Sequence, residues 1–181
     1  MRQSAPTSAY AAYAAYEKRM TENRLLILAV GNPSRGDDAL GPLFLECLAE
    51  LHARHDWKGF ELLGDFQLQI EHALDLQNRA LVLFVDASLS CPPPFQFSRL
   101  QPARDHSYTS HALSPAAVLH VYQQINQTPL PPAFQLAIRG ERFALGESLS
   151  AAAESHLSAA LAFAEQLLAC AEVAAWSSLL S

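Results

Sequence analysis

The chain has 181 residues, half of them hydrophobic, enough for one domain with a substantial core. Eighteen acidic residues outnumber twelve basic ones, giving a formal charge of −6, and no run of Lys and Arg occurs, so neither nucleic acid nor an anionic membrane is an expected partner. No apolar run approaches the ~20 residues that span a bilayer. Cys47, Cys91 and Cys170 lie far apart without metal-binding spacing, which points to reduced thiols and a cytoplasmic protein.

The first segment, "MRQSAPTSAYAAYAAYEKRMTENR", alternates alanine pairs with Tyr10, Tyr13 and Tyr16 and lacks the continuous apolar stretch of a signal peptide. Residues 1–22 are expected to form a weakly ordered extension, and residues 23–181 a single domain. From Leu25 the pattern becomes regular. "LLILAV" (25–30) is apolar throughout and ends on Gly31, as a strand buried on both faces does. "DDALGPLFLECLAELHARH" follows as a helix, with Leu40, Phe44, Leu45, Leu48 and Leu51 at three- and four-residue spacings. Pro42 must then lie in its first turn, where no hydrogen bond is lost.

"FELLGD" (60–65) reads as a second strand, "FQLQIEHALDLQ" (66–77) as a second helix and "ALVLFVDA" (80–87) as a third strand. "CPPP" (91–94) breaks the chain before "FQFSRL" (95–100), whose alternation suits a more exposed strand. A polar loop carrying His106 and His111 leads to "SPAAVLHVYQQI", a helix capped by Ser114 with Pro115 at its first position. "AFQLAIRG" (133–140) is a further strand. A long alanine-rich helix from the Ser150 cap to Trp176 closes the domain. The alternation predicts an α/β fold, a three-layer sandwich with a mostly parallel, twisted sheet between helices.

Ligands of open α/β sheets bind at the carboxyl ends of the strands. Three such ends carry polar residues suited to chemistry: Asp37 and Asp38 after the first strand, Asp86 at the end of the third, and His111 in the loop after the fourth. Two carboxylates and an imidazole would suit a divalent metal, or an acid/base pair acting on water. Either Asp37 or Asp38 could instead cap the helix that follows, though one cap is enough. His106 competes with His111. The remaining histidines, 52, 55, 72, 120 and 156, fall on predicted helices and receive no role. Cys91 has no basic neighbour to make it a thiolate. The glycines at 31, 36 and 41 outline a phosphate loop, but Arg35 is one positive charge against two negative ones, so an anion site is a poor fit. No G-x-S-x-G, Walker A or HExxH motif is present.

"GNPSRGDDALGP" after a buried strand, "VDA" (85–87) ending a later one and "SHALSP" (110–115) opening a helix resemble the hydrogenase maturation proteases. The resemblance runs from Leu25 to Leu168 and includes "GESLSAAAESHLSAAL" as the last helix. It implies a phosphorylase/hydrolase-like α/β sandwich and an endopeptidase that trims the C-terminus of the nickel–iron hydrogenase large-subunit precursor. It also implies metal binding by Asp38, Asp86 and His111, with nickel carried in by the precursor and no Ser or Cys nucleophile. Asp38 would be the catalytic general base, and Asp37 would serve the helix start. "NPSR" (32–35) departs from the apolar residues many members carry there. With "DFQLQIEHALDL" (65–76) it is closer to the branch serving soluble, NAD-coupled hydrogenases. A monomer is expected. Two other readings stay open: a metal-dependent hydrolase of small molecules, and a non-catalytic chaperone for the nickel-loaded precursor.

Overall fold

A computed structural model describes residues 24–55, 59–104 and 113–180. The expected extension therefore lies outside the described residues, as do His106 and His111. Five strands form one sheet: β1 (Leu25–Val30), β2 (Phe60–Asp65), β3 (Leu81–Ser88), β4 (Phe95–Arg99) and β5 (Ala133–Arg139), in the order β2-β1-β3-β5-β4. The first four in that order run parallel, and β4 pairs antiparallel with β5 at one edge. The mostly parallel sandwich expected from the alternation is what the chain forms.

All six residues of β1 are buried, because odd and even side chains enter different cores. Leu25, Ile27 and Ala29 pack with α1 (Leu40–His55) and α4 (Ala151–Ala169). Leu26, Leu28 and Val30 pack on the other face with α3 (Pro115–Ile125) and the segment around α2 (His72–Asp75). These are the three layers. As expected, the Ser114 side chain caps α3 through the Ala117 N–H, with Pro115 beginning the helix.

Two helices differ from their sequence-based outlines. The helix expected over 66–77 is a single turn, His72–Asp75. Phe66, Ile70 and Leu74 stay largely exposed while Leu68, Ala73 and Leu76 are buried, so the apolar residues serve an irregular crossover rather than one helical face. The closing helix ends at Ala169, and a separate short helix, α5 (Val173–Ser178), follows. The break turns Trp176 back onto the sheet. There it is fully buried, donates from Nε1 to the Leu167 carbonyl at 2.9 Å, and meets Phe134 and Phe97 edge-on. Aromatic contacts of this kind contribute about 1 kcal/mol each beyond burial, more than continuing one helix into solvent would return.

Candidate functional site

From β1 the chain connects outward to β2, and from β2 it crosses back over β1 to β3. The carboxyl ends of β1 and β3 therefore border the crevice where such sheets take ligands. Gly31 ends β1, and residues 32–39 form the loop beyond it. Asn32 Oδ1 accepts the Ser34 N–H at 2.9 Å, which closes an Asx turn and accounts for the "NPSR" sequence. A 3-10 turn, Gly36–Ala39, then carries both aspartates into α1. Gly36 has φ +57°, and a Cβ there would lie 2.6 Å from the Arg142 carbonyl oxygen. Gly41 answers a different need: a Cβ would sit 2.0 Å from the Val30 carbonyl oxygen, so it lets α1 start directly against the end of β1.

The two aspartates part company here. Asp37 does not cap α1. Its side chain turns inward, fully buried, and Oδ2 accepts the Glu141 N–H at 2.7 Å, the Arg142 N–H at 3.0 Å and the Ser150 hydroxyl at 2.9 Å. Oδ1 accepts the Ser150 N–H at 2.7 Å. Burial alone would raise its pKa, but these donors outweigh it and hold the carboxyl below its ordinary value. Ser150 Oγ in turn caps α4 by accepting the Ala153 N–H. The backbone reinforces the link, since Asp37 N–H donates to Arg142 O at 2.7 Å and Gly146 N–H to Ser34 O at 2.8 Å. The expected role of Asp37 at the start of its own helix is thus replaced by a clamp on the 140–150 loop and on the start of α4.

Asp38 is half-buried, and its Oδ2 accepts the Asn32 N–H at 3.2 Å. With Asp86 it lines a cleft of about 270 Å³, whose walls also include Asn32, Arg35, Gln67 and Leu113. Burial pushes the Asp86 carboxyl up to about 7, with the Ala87 N–H opposing and the Asp38 charge adding to the rise. Two of the three residues singled out in the sequence therefore meet in one cleft. Two carboxylates so placed can share a proton, orient a water or offer oxygen donors to a cation. Among the described residues no group of three or more His, Cys, Asp and Glu side chains could hold a metal ion by itself. His111, the third residue of the expected set, lies outside them, two positions before cleft-lining Leu113.

The sequence reading passed over the support on the far side of the cleft. Asp65 ends β2 and accepts the Phe66 N–H, while buried His72 accepts the Gln69 N–H on Nδ1 at 2.9 Å. Its Nε2 lies 3.4 Å from Asp65 Oδ2, so the imidazole braces the turn that carries Phe66, Gln67 and Leu68 to the cleft. A carboxylate at a strand end followed by a histidine seven residues later was the available signal. Cys91 is buried, with Sγ near the carbonyls of Ala137 and Ser88, and serves packing rather than the cleft.

Fold and cleft together define a three-layer α/β sandwich with an acidic site at its topological switch point. More narrowly, the fold is that of the hydrogenase maturation proteases. The NiFe hydrogenase maturation protease HycI of Thermococcus kodakarensis superposes with a TM-score of 0.60 at 22% identity, covering 86% of this chain and 99% of its own. The hydrogenase maturating endopeptidase HybD of E. coli gives 0.60 at 22%, covering 78% and 89%. A hydrogenase 2 maturation peptidase from a Thaumarchaeota archaeon gives 0.56 at 22%, covering 80% and 97%. No family model and no curated protein matches the sequence. No described helix is long and apolar enough to cross a membrane.

Proposed function

We propose that this protein is an endopeptidase that removes the C-terminal extension of a nickel–iron hydrogenase large-subunit precursor. The observation that carries the reading is the pairing of Asp38 and Asp86 in one cleft, within the fold shared with maturation endopeptidases. On this reading nickel arrives with the precursor as part of the substrate, and Asp38, Asp86 and His111 recognise it. Nickel held there would fix the scissile peptide and could polarise its carbonyl. Asp38 takes the proton of the attacking water as general base and returns it to the leaving amine, a role suited to a carboxylate that lines the cleft and accepts one backbone N–H. The protein works in the cytoplasm, as a monomer.

Incubating the protein with nickel-loaded and nickel-free precursor and weighing the products tests the reading. Loss of a C-terminal fragment from the loaded form alone is expected, whereas an unchanged mass with a tight complex would make the protein a chaperone. His111→Ala should abolish cleavage and His106→Ala should preserve it. The reverse result would exchange the two histidines.

A further inference from the structure

Beside the carboxylate cleft lies a second concavity of about 430 Å³, between the ends of β1 and β2 and the first turns of α1. Ala29, Pro33, Pro42, Leu45 and Phe66 make its walls apolar. Gly64 forms part of its floor, and a Cβ there would come within 3.0 Å of Leu45 Cδ1, so the missing side chain keeps the groove deep. Among the described lining residues charge appears only as carboxylates, Asp65 and the exposed Glu46, with no Lys or Arg. Gly31 and Phe66 border both concavities, so the groove runs on into the cleft. Phe66 is 66% exposed, and in the same crossover Ile70 and Leu74 are 57% and 50% exposed. An open apolar groove that runs into a polar cleft, with an exposed Phe66 at the join, is a surface suited to a partner.

We propose that this groove seats an aliphatic or aromatic side chain of a polypeptide substrate, with an adjacent Lys or Arg of that polypeptide meeting Glu46. The substrate backbone then continues past Phe66 to Asp38 and Asp86. The apolar walls select the first side chain and the carboxylate margin the second. The same charge argues against a second copy of this chain, whose net charge of −6 would face like charge. The inference rests on the endopeptidase reading, because it places the groove beside the bond to be cut.

The test uses the isotope-labelled full chain and three short blocked peptides, alanine throughout except for a central Leu-Lys, Ser-Lys or Leu-Glu pair. Amide shifts at Gly31, Gly64 and Phe66 report binding. The Leu-Lys peptide is expected to bind about tenfold more tightly than Ser-Lys, and roughly threefold more tightly than Leu-Glu at low salt. Glu46→Lys should reverse the second preference and keep the first, and Leu45→Asn should erase the first while the spectrum stays folded. Equal affinities, shifts confined to another surface, or the same amides shifting on dilution of a dimer would each overturn the proposal. If the precursor stays uncut while the peptide preferences hold, the endopeptidase reading falls and the groove stands. If the precursor is cut and the peptides show no preference, the groove falls alone.

Discussion

Two carboxylates one residue apart meet opposite surroundings. Asp37 is sealed beneath the 140–150 loop with four donors on its two oxygens, whereas Asp38 faces a cleft with the Asn32 N–H on one oxygen and Asp86 for a charged neighbour. The first arrangement satisfies a buried charge completely and is therefore structural. The second leaves a half-buried carboxylate with one backbone donor in a cleft it shares with Asp86 and Arg35, an under-satisfied arrangement of the kind that binding or catalysis requires.

Breaking the clamp should have the largest effect. Asp37→Ala strands three backbone N–H groups and a hydroxyl in the interior, and a loss of about 3–5 kcal/mol is expected in urea unfolding at pH 7. Because the Asp37 pKa is lowered in the folded chain, its contribution is complete above its ordinary value and is lost as pH falls through the lowered one. The gap between wild type and Asp37→Ala should therefore narrow only in acid.

Asp86 should show the opposite sign. Its folded pKa of about 7 lies above the ordinary 3.8, so its cost is absent in strong acid, grows as pH rises from about 4 to 7, where only the unfolded chain has lost the proton, and is constant above. Asp86→Asn should stabilise the protein by about 2 kcal/mol at pH 8 and by almost nothing at pH 4. A gain of equal size at both pH values would assign it to something other than charge. Ser150→Ala removes the α4 cap and one Asp37 donor together, at a cost of about 1–2 kcal/mol in thermal or urea unfolding. Smallest for stability is Asp38→Asn, within about 0.5 kcal/mol, since an Asn carbonyl can still accept the Asn32 N–H. Precursor cleavage should nonetheless fall by about 100-fold or more, and normal cleavage would remove Asp38 from the chemistry.

The same contrast governs what could be read in advance. The buried runs at 25–30 and 81–85 are legible because a parallel strand covered on both faces has no polar positions to spare. Asp38 and Asp86 were legible because strand ends of such sheets are where ligands lie. The true role of Asp37 was not. Its partners stand 104 to 113 residues away, and the local rule for an acidic residue before a helix pointed to a cap that is not made. The break before α5 was equally hidden. No Pro or Gly marks residues 170–172, and only the aromatic contacts of Trp176 explain it. At 66–77 the run imitates a helix, since Phe66, Ile70 and Leu74 stand at four-residue spacing yet stay exposed.

The clamp also sets an order of events along the chain. Closing the contact between Asp37 and Ser150 spans 113 residues, and such long-range closure comes late because its entropy must be met before its bonds form. A nascent chain that already carries Asp38 and Asp86 still lacks the lock beneath their loop until α4 docks. The loop that carries Asp38 is thus braced from behind by the start of a helix that supplies no residue to the described lining of the cleft.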